Sequence, residues 1–562
     1  MFDTDVIFFC CIFFLVQGQI KNVVMRMKNR SFRLNRSKKK KKILEKRYEE
    51  KLENKVGNLG IYADVEENVK YIETLLGKAG DLKIRQFTIQ YKPETKAAML
   101  YLDELASRDA NQDFVLRPLM TYSGLFYKDT KKDVWELAYE SLVQAGELKV
   151  EQEMKEAVDA ILRGDTVLFI NGYEKVMVIG TCGWKTRGIG EPRAESVVRG
   201  PREGLSETLL FSLGMIRRRL KDPDLRVKMY SIGKRTKTSV SLIYLEGVVQ
   251  PDILKEVKNR IQRIDIDGVL ETGYIEEFIQ DQTWSPFPQL QNTERPDAVV
   301  AHLLEGKIAI LVDGTPHALI APAVFTQFYY SPEDYYERFH IATFLRLIRL
   351  VSFFISLMLP ALYIAFVSYH PEMIPSKLQF KMASGRATVP FPSIIEALLM
   401  EISVEILREA SIRLPGPIGP TIGIVGALVI GDAAVSAGLV SPAMVIVVGL
   451  TTISSYANPS YNAAISVRLL RFPLMISAGI FGLYGVMLGL VLLLLHLVQL
   501  RSMGIPYMAP YTPLNTSDFK DTLVRMPWKW MDKRPSFFHP KDSQRQEEKS
   551  EAQDQKNGGE AS

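Results

Sequence analysis

From about Asn58 to Tyr330, apolar runs of four to seven residues alternate with longer amphipathic stretches, and Gly, Asn or Pro stands at the junctions. Short apolar runs bounded by turn residues read as strands, and stretches of 3.6-residue period read as helices, so this is an α/β pattern. It predicts strands at Ile84 to Ile89, Ala98 to Leu102, Thr166 to Ile170, Lys175 to Ile179, Val227 to Ile232, Val240 to Leu245, Lys307 to Val312 and His317 to Ile320. Predicted helices are Asn68 to Leu76, Asp133 to Ser141, Val150 to Leu162, Ser206 to Arg219, Asp252 to Ile264 and Gly273 to Gln280. The glycine inside Ala145 to Glu147 separates two helical patterns and marks the expected subdomain junction near 145.

Beyond Arg349 the pattern changes. Leu350 to Val367 holds eighteen residues without a charge, with Pro360 inside and Arg338, Arg346 and Arg349 before it. Such a run is long enough to cross a bilayer, and the arginines put the preceding domain in the cytoplasm. Leu414 to Gly431 is uncharged and opens with Pro415, Pro417 and Pro420, and Ala433 to Val467 follows with thirty-five uncharged residues. Gly438 and Pro442 divide that stretch into helices expected at about 418 to 437 and 441 to 457, joined by a tight turn. The last run, Phe472 to Leu500, would reach roughly 43 Å as one helix against a hydrocarbon core of roughly 30 Å, so it is expected to tilt or project.

Composition sharpens this division. Over 562 residues the charged fraction is 24 % and mean hydropathy is near zero, as in an ordinary soluble protein. Between Leu350 and Leu500, however, only seven Lys/Arg and six Asp/Glu occur. A soluble part and a membrane part are averaged together, which excludes a wholly soluble enzyme and a carrier spanning the bilayer from end to end. Residues 26 to 51 carry thirteen Lys/Arg against three Glu. Without aromatic interleaving or a nucleic-acid-binding fold, this run reads as a solvated arm touching anionic lipid, not as a nucleic-acid site. The apolar run Val6 to Val16 is too short to span, and Met25 or Met27 would open directly into the basic arm; a short membrane-dipping anchor is the other reading. Three cysteines, Cys10, Cys11 and Cys182, make no disulfide framework.

The chain has no catalytic constellation, metal-ligand spacing or cofactor motif, so neither an enzyme nor a cofactor is expected. Gly183 to Gly190 is glycine-rich but fits no phosphate-loop spacing, and Arg217 to Arg219 read as a basic helix end. The informative polar residues lie in the apolar half. Glu401, Glu405, Arg408 and Glu409 fall within about 100° of a helix whose opposite face carries Leu399, Ile402, Ile406 and Leu407. Two readings follow: an amphipathic helix lying at the interface, which leaves four spans and a cytoplasmic tail, or a fifth span whose acids line a cation-attracting passage. The first is favoured. Asp432 is an intramembrane carboxylate or a helix end near headgroups, and Asn458-Pro459 marks a broken helix or an interfacial loop.

VVRGPREGLSETLL (Val197 to Leu210), RIDIDGVLETGYIEE (Arg263 to Glu277), SPFPQLQNTERPD (Ser285 to Asp297), LLEGKIAILVDGTPHALIAP (Leu303 to Pro322) and SPEDYYERF (Ser331 to Phe339) stand in one order with the membrane motif PFPSIIEALLMEISVEILREASIRLPGPIGPTIG. Over roughly residues 60 to 515 the chain resembles the A subunits of GerA-type spore germinant receptors. It departs at Asp432, where glutamine is the family's residue, and at Ala457-Asn458-Pro459-Ser460-Tyr461. The resemblance implies a multi-pass protein of the inner spore membrane, with a transporter-like B subunit that binds nutrient and a lipoprotein C subunit. It implies A-subunit pentamers around a nutrient-gated path for monovalent cations. Taken together with the polar positions read above from the sequence itself, this makes Glu401, Glu405, Glu409, Asp432 and Asn458 the candidate pore or coupling residues. A non-conducting scaffold and a solute transporter are the rivals. The expected organisation is a basic, largely disordered segment 1–57 (1–24 untranslated), a cytoplasmic α/β domain 58–340, a helical membrane domain 341–505 and a polar C-terminal tail 506–562.

Overall fold

The computed structural model describes residues 59–546 apart from 90–93, 123–132, 184–189, 193–194, 414–425 and 427–428. The first apolar run, the basic arm, most of the Gly183 to Gly190 stretch, the start of the helix expected at 418 and residues 547–562 lie outside the described residues.

Helix α1 (Val65–Leu75) begins where the Asp64 carboxylate accepts from Glu66 N at 3.0 Å, and its Val65, Val69 and Ile72 are buried at i, i+4 and i+7. Five antiparallel strands follow, β1 (Leu82–Ile89), β2 (Thr95–Leu102), β3 (Leu148–Glu151), β4 (Thr166–Ile170) and β5 (Val176–Ile179), in the order β1-β2-β4-β5-β3. Alternation along the strands sorts their side chains onto two faces. Ala98, Leu100, Val167 and Phe169 pack under α1 and α2 (Met154–Arg163), while Ala97, Met99, Leu168 and Ile170 pack against side chains from 115–119 and 134–143.

The next unit repeats this plan. It comprises α3 (Leu209–Arg219), β6 (Leu225–Ile232), β7 (Thr238–Leu245), α4 (Pro251–Gln262), α5 (Thr272–Ile279), β8 (Gln291–Thr293), α6 (Pro296–Leu304), β9 (Ile308–Val312) and β10 (Ala318–Ala321). Its strand order, β6-β7-β9-β10-β8, is the first order shifted. The hairpins Leu82↔Leu102 and Leu225↔Leu245 have the same span, and the left-handed glycines Gly164 and Gly172 recur as Gly306 and Gly314. The subdomain junction therefore lies between β5 and α3, in residues 180–208, and not near 145, which falls inside the first unit. There the glycine precedes a four-residue edge strand, β3, whose alternation is too short to read; the helix expected from Val150 starts at Met154 instead.

The two units are pinned by a buried bidentate ion pair. Arg217 on α3 donates to Asp81, just before β1, through Nε at 2.7 Å and Nη2 at 2.9 Å, and both side chains are 2 % exposed. Arg219 reaches Glu203 at 2.6 Å, and Arg218 bonds the same carboxylate.

After the second unit come α7 (Phe339–Ser368), α8 (Ser376–Arg386), α9 (Ser393–Arg413), a helical run over 429–436 (α10), α11 (Pro442–Tyr456) and α12 (Tyr461–Gln499). Among the described residues two helices, α7 and α12, are long and apolar enough to cross a membrane. The last apolar stretch neither tilts nor projects as one rod. At Gly482 the backbone takes φ 60°, ψ −139° and α12 doubles back. Its arms touch so closely that a Cβ on Gly485 would lie 2.2 Å from the Ser477 carbonyl oxygen, and one on Gly489 2.7 Å from Leu474. Both free ends of this hairpin reach the α/β domain: Ser466 Oγ donates to the Pro286 carbonyl and His496 Nε2 lies 2.9 Å from Ser285 Oγ. Its tip meets the far end of α7, where Tyr369 Oη donates to Gly479 O.

The chain beyond Leu500 is not a polar tail up to residue 546. β11 (Arg501–Ser502) pairs with β12 (Ile505–Pro506), and Met503, Ile505, Ala509 and Phe538 join the core of the second α/β unit. Tyr507 is wholly buried. Arg534 donates to Leu304 O at 2.7 Å, Lys541 N to Val248 O at 2.9 Å, and Arg545 pairs with Glu305 at 3.2 Å. Polar composition hid this segment because it contributes a few large side chains to a core supplied mostly by another unit. Beneath it Lys307 is buried, 2.7 Å from His302 Nδ1 and over the Phe538 ring. Burial lowers the Lys307 ammonium to about 8 against the pull of Glu305. Burial would raise the Glu305 carboxyl, but Lys307, His302 and Arg545 outweigh it and hold it well below the usual range.

Asp81→Ala leaves the Arg217 guanidinium buried without its carboxylate and is expected to cost about 3–5 kcal/mol, read as a lower urea midpoint in circular dichroism. Lys307 offers a pH test. Between about 8 and its ordinary 10.5 the unfolded chain holds a proton that the folded chain has lost, so stability rises with pH in that window. Lys307→Met is expected to remove that rise in thermal melts.

Candidate functional site

Helix α9 turns its charges inward. Glu396, Glu401 and Arg408 are buried, whereas Leu399, Ile402, Ile406 and Ile412 are exposed, Ile406 by 64 %. This reverses the polarity of a helix lying at a water interface, where the acidic arc would face solvent. Water around such a helix would strand its aliphatic side; hydrocarbon would not.

Each buried carboxylate meets a partner from another helix. At the end of the bundle remote from the α/β domain, Glu396 Oε1 accepts from Ser441 N at 2.6 Å and from Ser441 Oγ, at the start of α11. Arg386 Nε stands 3.6 Å from its other oxygen. Tyr363 of α7 joins through Ser441 Oγ at 3.0 Å. Midway along, Arg471 on the first arm of α12 donates to Glu401 and, through Nε, to Ser356 O of α7 at 2.7 Å. One turn later Arg468 Nη1 donates to Glu405 Oε1 at 2.9 Å, and Arg408 Nη1 to Glu405 Oε2 at 3.2 Å. Arg408 also donates to Ser455 Oγ at 3.1 Å and stacks over Tyr456 at the end of α11. Three carboxylates and four arginines thus form a ladder that touches α7, α8, α9, α11 and α12.

The expected site residues separate accordingly. Glu401 and Glu405 belong to the ladder, but as ion-paired groups and not as an unpartnered acidic arc. Glu409 stands on the outer surface, paired with Arg413 in its own helix. Asp432 is exposed on α10. Asn458 lies in the turn between α11 and α12, where its Oδ1 accepts from Ser460 N at 3.2 Å. Sequence reasoning missed Glu396 as the partner of Ser441, and missed Arg468 and Arg471 as partners at all. The available signal was spacing: acids at i, i+4 on one apolar helix and arginines at i, i+3 on another present one turn each. Among the described residues, no cluster of His, Cys, Asp or Glu is arranged to hold a metal ion.

A second cluster ties the helices to the soluble part. Arg346 of α7 is buried against Asp334 at 3.0 Å and Asp521 at 2.9 Å, with its guanidinium over the Tyr330 ring at 4.2 Å. Arg349 reaches Asp334 at 2.8 Å. Burial raises the Asp521 carboxyl in spite of Arg346. Two arginines that read as topology markers in the sequence are structural pins as well.

Comparison with known proteins adds four findings. A family model described as Bacillus/Clostridium GerA spore germination protein matches residues 70–537. Spore germination protein KA of Bacillus subtilis (strain 168) is 42 % identical over 85 % of this chain and 88 % of its own length. Spore germination protein GerLA of Bacillus cereus is 43 % identical over 85 % of this chain and 96 % of its own. The crystal structure of the N-terminal domain of the A subunit of the Bacillus megaterium spore germinant receptor GerK3 is 34 % identical, covers 48 % of this chain and 98 % of that one, and superposes with a TM-score of 0.38.

Removing one partner of a buried ion pair strands the other charge, so Glu401→Ala and Arg471→Ala are each expected to cost about 3–5 kcal/mol, and replacing both by leucine far less than the sum. A double-mutant cycle on thermal unfolding in detergent measures this. Additive losses would mean that the two side chains do not interact.

Proposed function

Since the chain belongs to the GerA family of spore germination proteins, we propose that it is the A subunit of a germinant receptor in the inner spore membrane, acting with a transporter-like B subunit and a lipoprotein C subunit. One observation carries the membrane reading: the helical part is apolar outside and ion-paired inside. Six segments then cross. α7 leads away from the α/β domain, α9 returns, the chain stands at the remote end again after α10, where Ser441 meets Glu396, α11 returns, and the two arms of α12 go out and back. An even number of crossings leaves the chain beyond Leu500 on the α/β side, where it packs. That side carries Arg338, Arg346, Arg349, Arg413 and Arg501 against Lys377, Lys381 and Arg386 on the other, which makes it cytoplasmic. On this reading the crossings number six, against the four or five expected from the sequence, because α9 crosses and the last apolar stretch crosses twice.

Copies of the chain assemble, as pentamers, around a cation path that opens when nutrient binds the partner. Glu401 and Glu405 act there as coupling residues. Their arginines hold α9 against α7 and α12, and nutrient binding favours an arrangement of these helices that the partner contacts better. Glu409 and Asp432, exposed on the outer surface, are the acids available to line a passage between copies. Asn458 closes the turn from which α12 starts. A second reading, a non-conducting relay, draws on the contacts of both hairpin ends with Ser285 and Pro286, since these couple the bundle to the α/β domain.

Two measurements test this. Protease added outside intact protoplasts is expected to spare both the α/β domain and residues 506–546; cleavage of the latter alone would remove the six-crossing arrangement. The purified chain in planar bilayers is expected to carry a cation current that Glu409→Gln with Asp432→Asn reduces several-fold. An inserted chain without current would leave the relay reading standing.

A further inference from the structure

The loop after α5 carries the most exposed large hydrophobic side chain among the described residues. Trp284 is 99 % exposed, and Phe278, on the outer side of α5, is 50 % exposed. An indole wholly in water is costly to keep, and its position is specific. The next residue, Ser285, contacts His496 at the end of the second arm of α12, and Pro286 receives the hydroxyl of Ser466 near the start of the first arm. Asp281, three residues earlier, accepts from Met503 N at 2.6 Å, just past the last helix. The loop is thus stapled to both ends of the apolar hairpin.

Beside it lies a shallow cavity of about 190 Å³ lined by Arg260, Arg263, Ile264, Phe278 and Gln280. Arg260 is spent on Glu256, the Ile279 carbonyl and Asp281. The Arg263 guanidinium is exposed and has no partner among the described residues.

We propose that this surface docks on the membrane: Trp284 sits among the lipid headgroups, and Arg263 takes the phosphate of an anionic phospholipid in the neighbouring cavity. The inference rests on the membrane reading above and extends it from the helices to the α/β domain. Tryptophan suits the site because its ring is apolar and its N–H can still reach water or a headgroup oxygen. A cation in the cavity lined by Phe278 and Gln280 adds an attraction that anionic lipid supplies and zwitterionic lipid does not. The alternative occupant, a second copy of the chain, has less in its favour, since the loop is fastened to the hairpin ends and so is held at a fixed depth relative to any bilayer the hairpin crosses.

The test uses the full chain reconstituted in phosphatidylcholine vesicles with and without phosphatidylglycerol, the lipids brominated either close to the headgroup or near the acyl end. The chain has five tryptophans, so the Trp284 contribution is the difference between the protein and Trp284→Phe. Shallow bromines are expected to quench that difference signal and deep ones not, and Arg263→Gln is expected to weaken quenching only where phosphatidylglycerol is present. A difference signal that no bromine quenches, in protein that resists carbonate extraction, overturns the docking while the membrane reading stands. Protein released by carbonate sinks that reading itself. Trp284 emission that responds to protein dilution instead of to bromine assigns the surface to a second copy, and an Arg263→Gln effect equal in both lipids removes the phosphate.

Discussion

A charged side chain among aliphatic groups needs an opposite charge within hydrogen-bond reach, because the solvation it loses cannot be recovered from its surroundings. In this protein that requirement orders the helical half. Arg471 cannot stay beside Ser356 without Glu401, and Glu405 gathers both Arg468 and Arg408. The partners are spaced one turn apart on each helix, so a slip of α9 by a single residue would break both cross-helix pairs at once. Helix α9 is placed by these pairs while its aliphatic side looks outward.

The same bundle is fastened to the α/β domain in three ways: the Arg346 cluster at the root of α7, the Ser285–Pro286 loop at the base of the hairpin, and the segment after Leu500. Phe325 N donates to Tyr507 O at 2.8 Å, and Phe287, Phe325 and Tyr507 pack ring against ring with His496 beside them. A displacement of either arm of α12 therefore pulls on the second α/β unit directly. The duplicated domain accommodates this asymmetrically. Its first unit completes its core with side chains from 115–119 and 134–143, whereas the second borrows Met503, Ile505, Ala509 and Phe538 from the segment that follows the helical bundle in the chain.

Much of the α/β half was legible, because buried strands such as β4 and β9 are continuous apolar runs stopped by turn glycines and the amphipathic helices carry their period openly. Short edge strands escaped: β3 and β8 have too few residues to display alternation. The repeat escaped too, since the two units share spacing and turn positions more than residues. For the candidate site, the helical arc of Glu401, Glu405 and Glu409 was readable, but the partners of the first two on another helix, Arg471 and Arg468, lie more than sixty residues away in sequence.

What the amino-acid order determined alone is local: which runs are apolar, where glycine and proline interrupt them, and on which face of a helix the acids fall. Those follow from periods of two and 3.6 residues and need no distant information. Tertiary structure alone decided that the last apolar stretch turns back at Gly482, that Glu396 and Glu401 of α9 are buried in the bundle while Glu409 stays outside, and that the polar segment after Leu500 completes a core built far upstream. Each of these is a pairing between surfaces remote in the chain, settled by whether a buried charge finds its counterion and an apolar face finds its cover, and no window along the sequence contains both halves of such a pair.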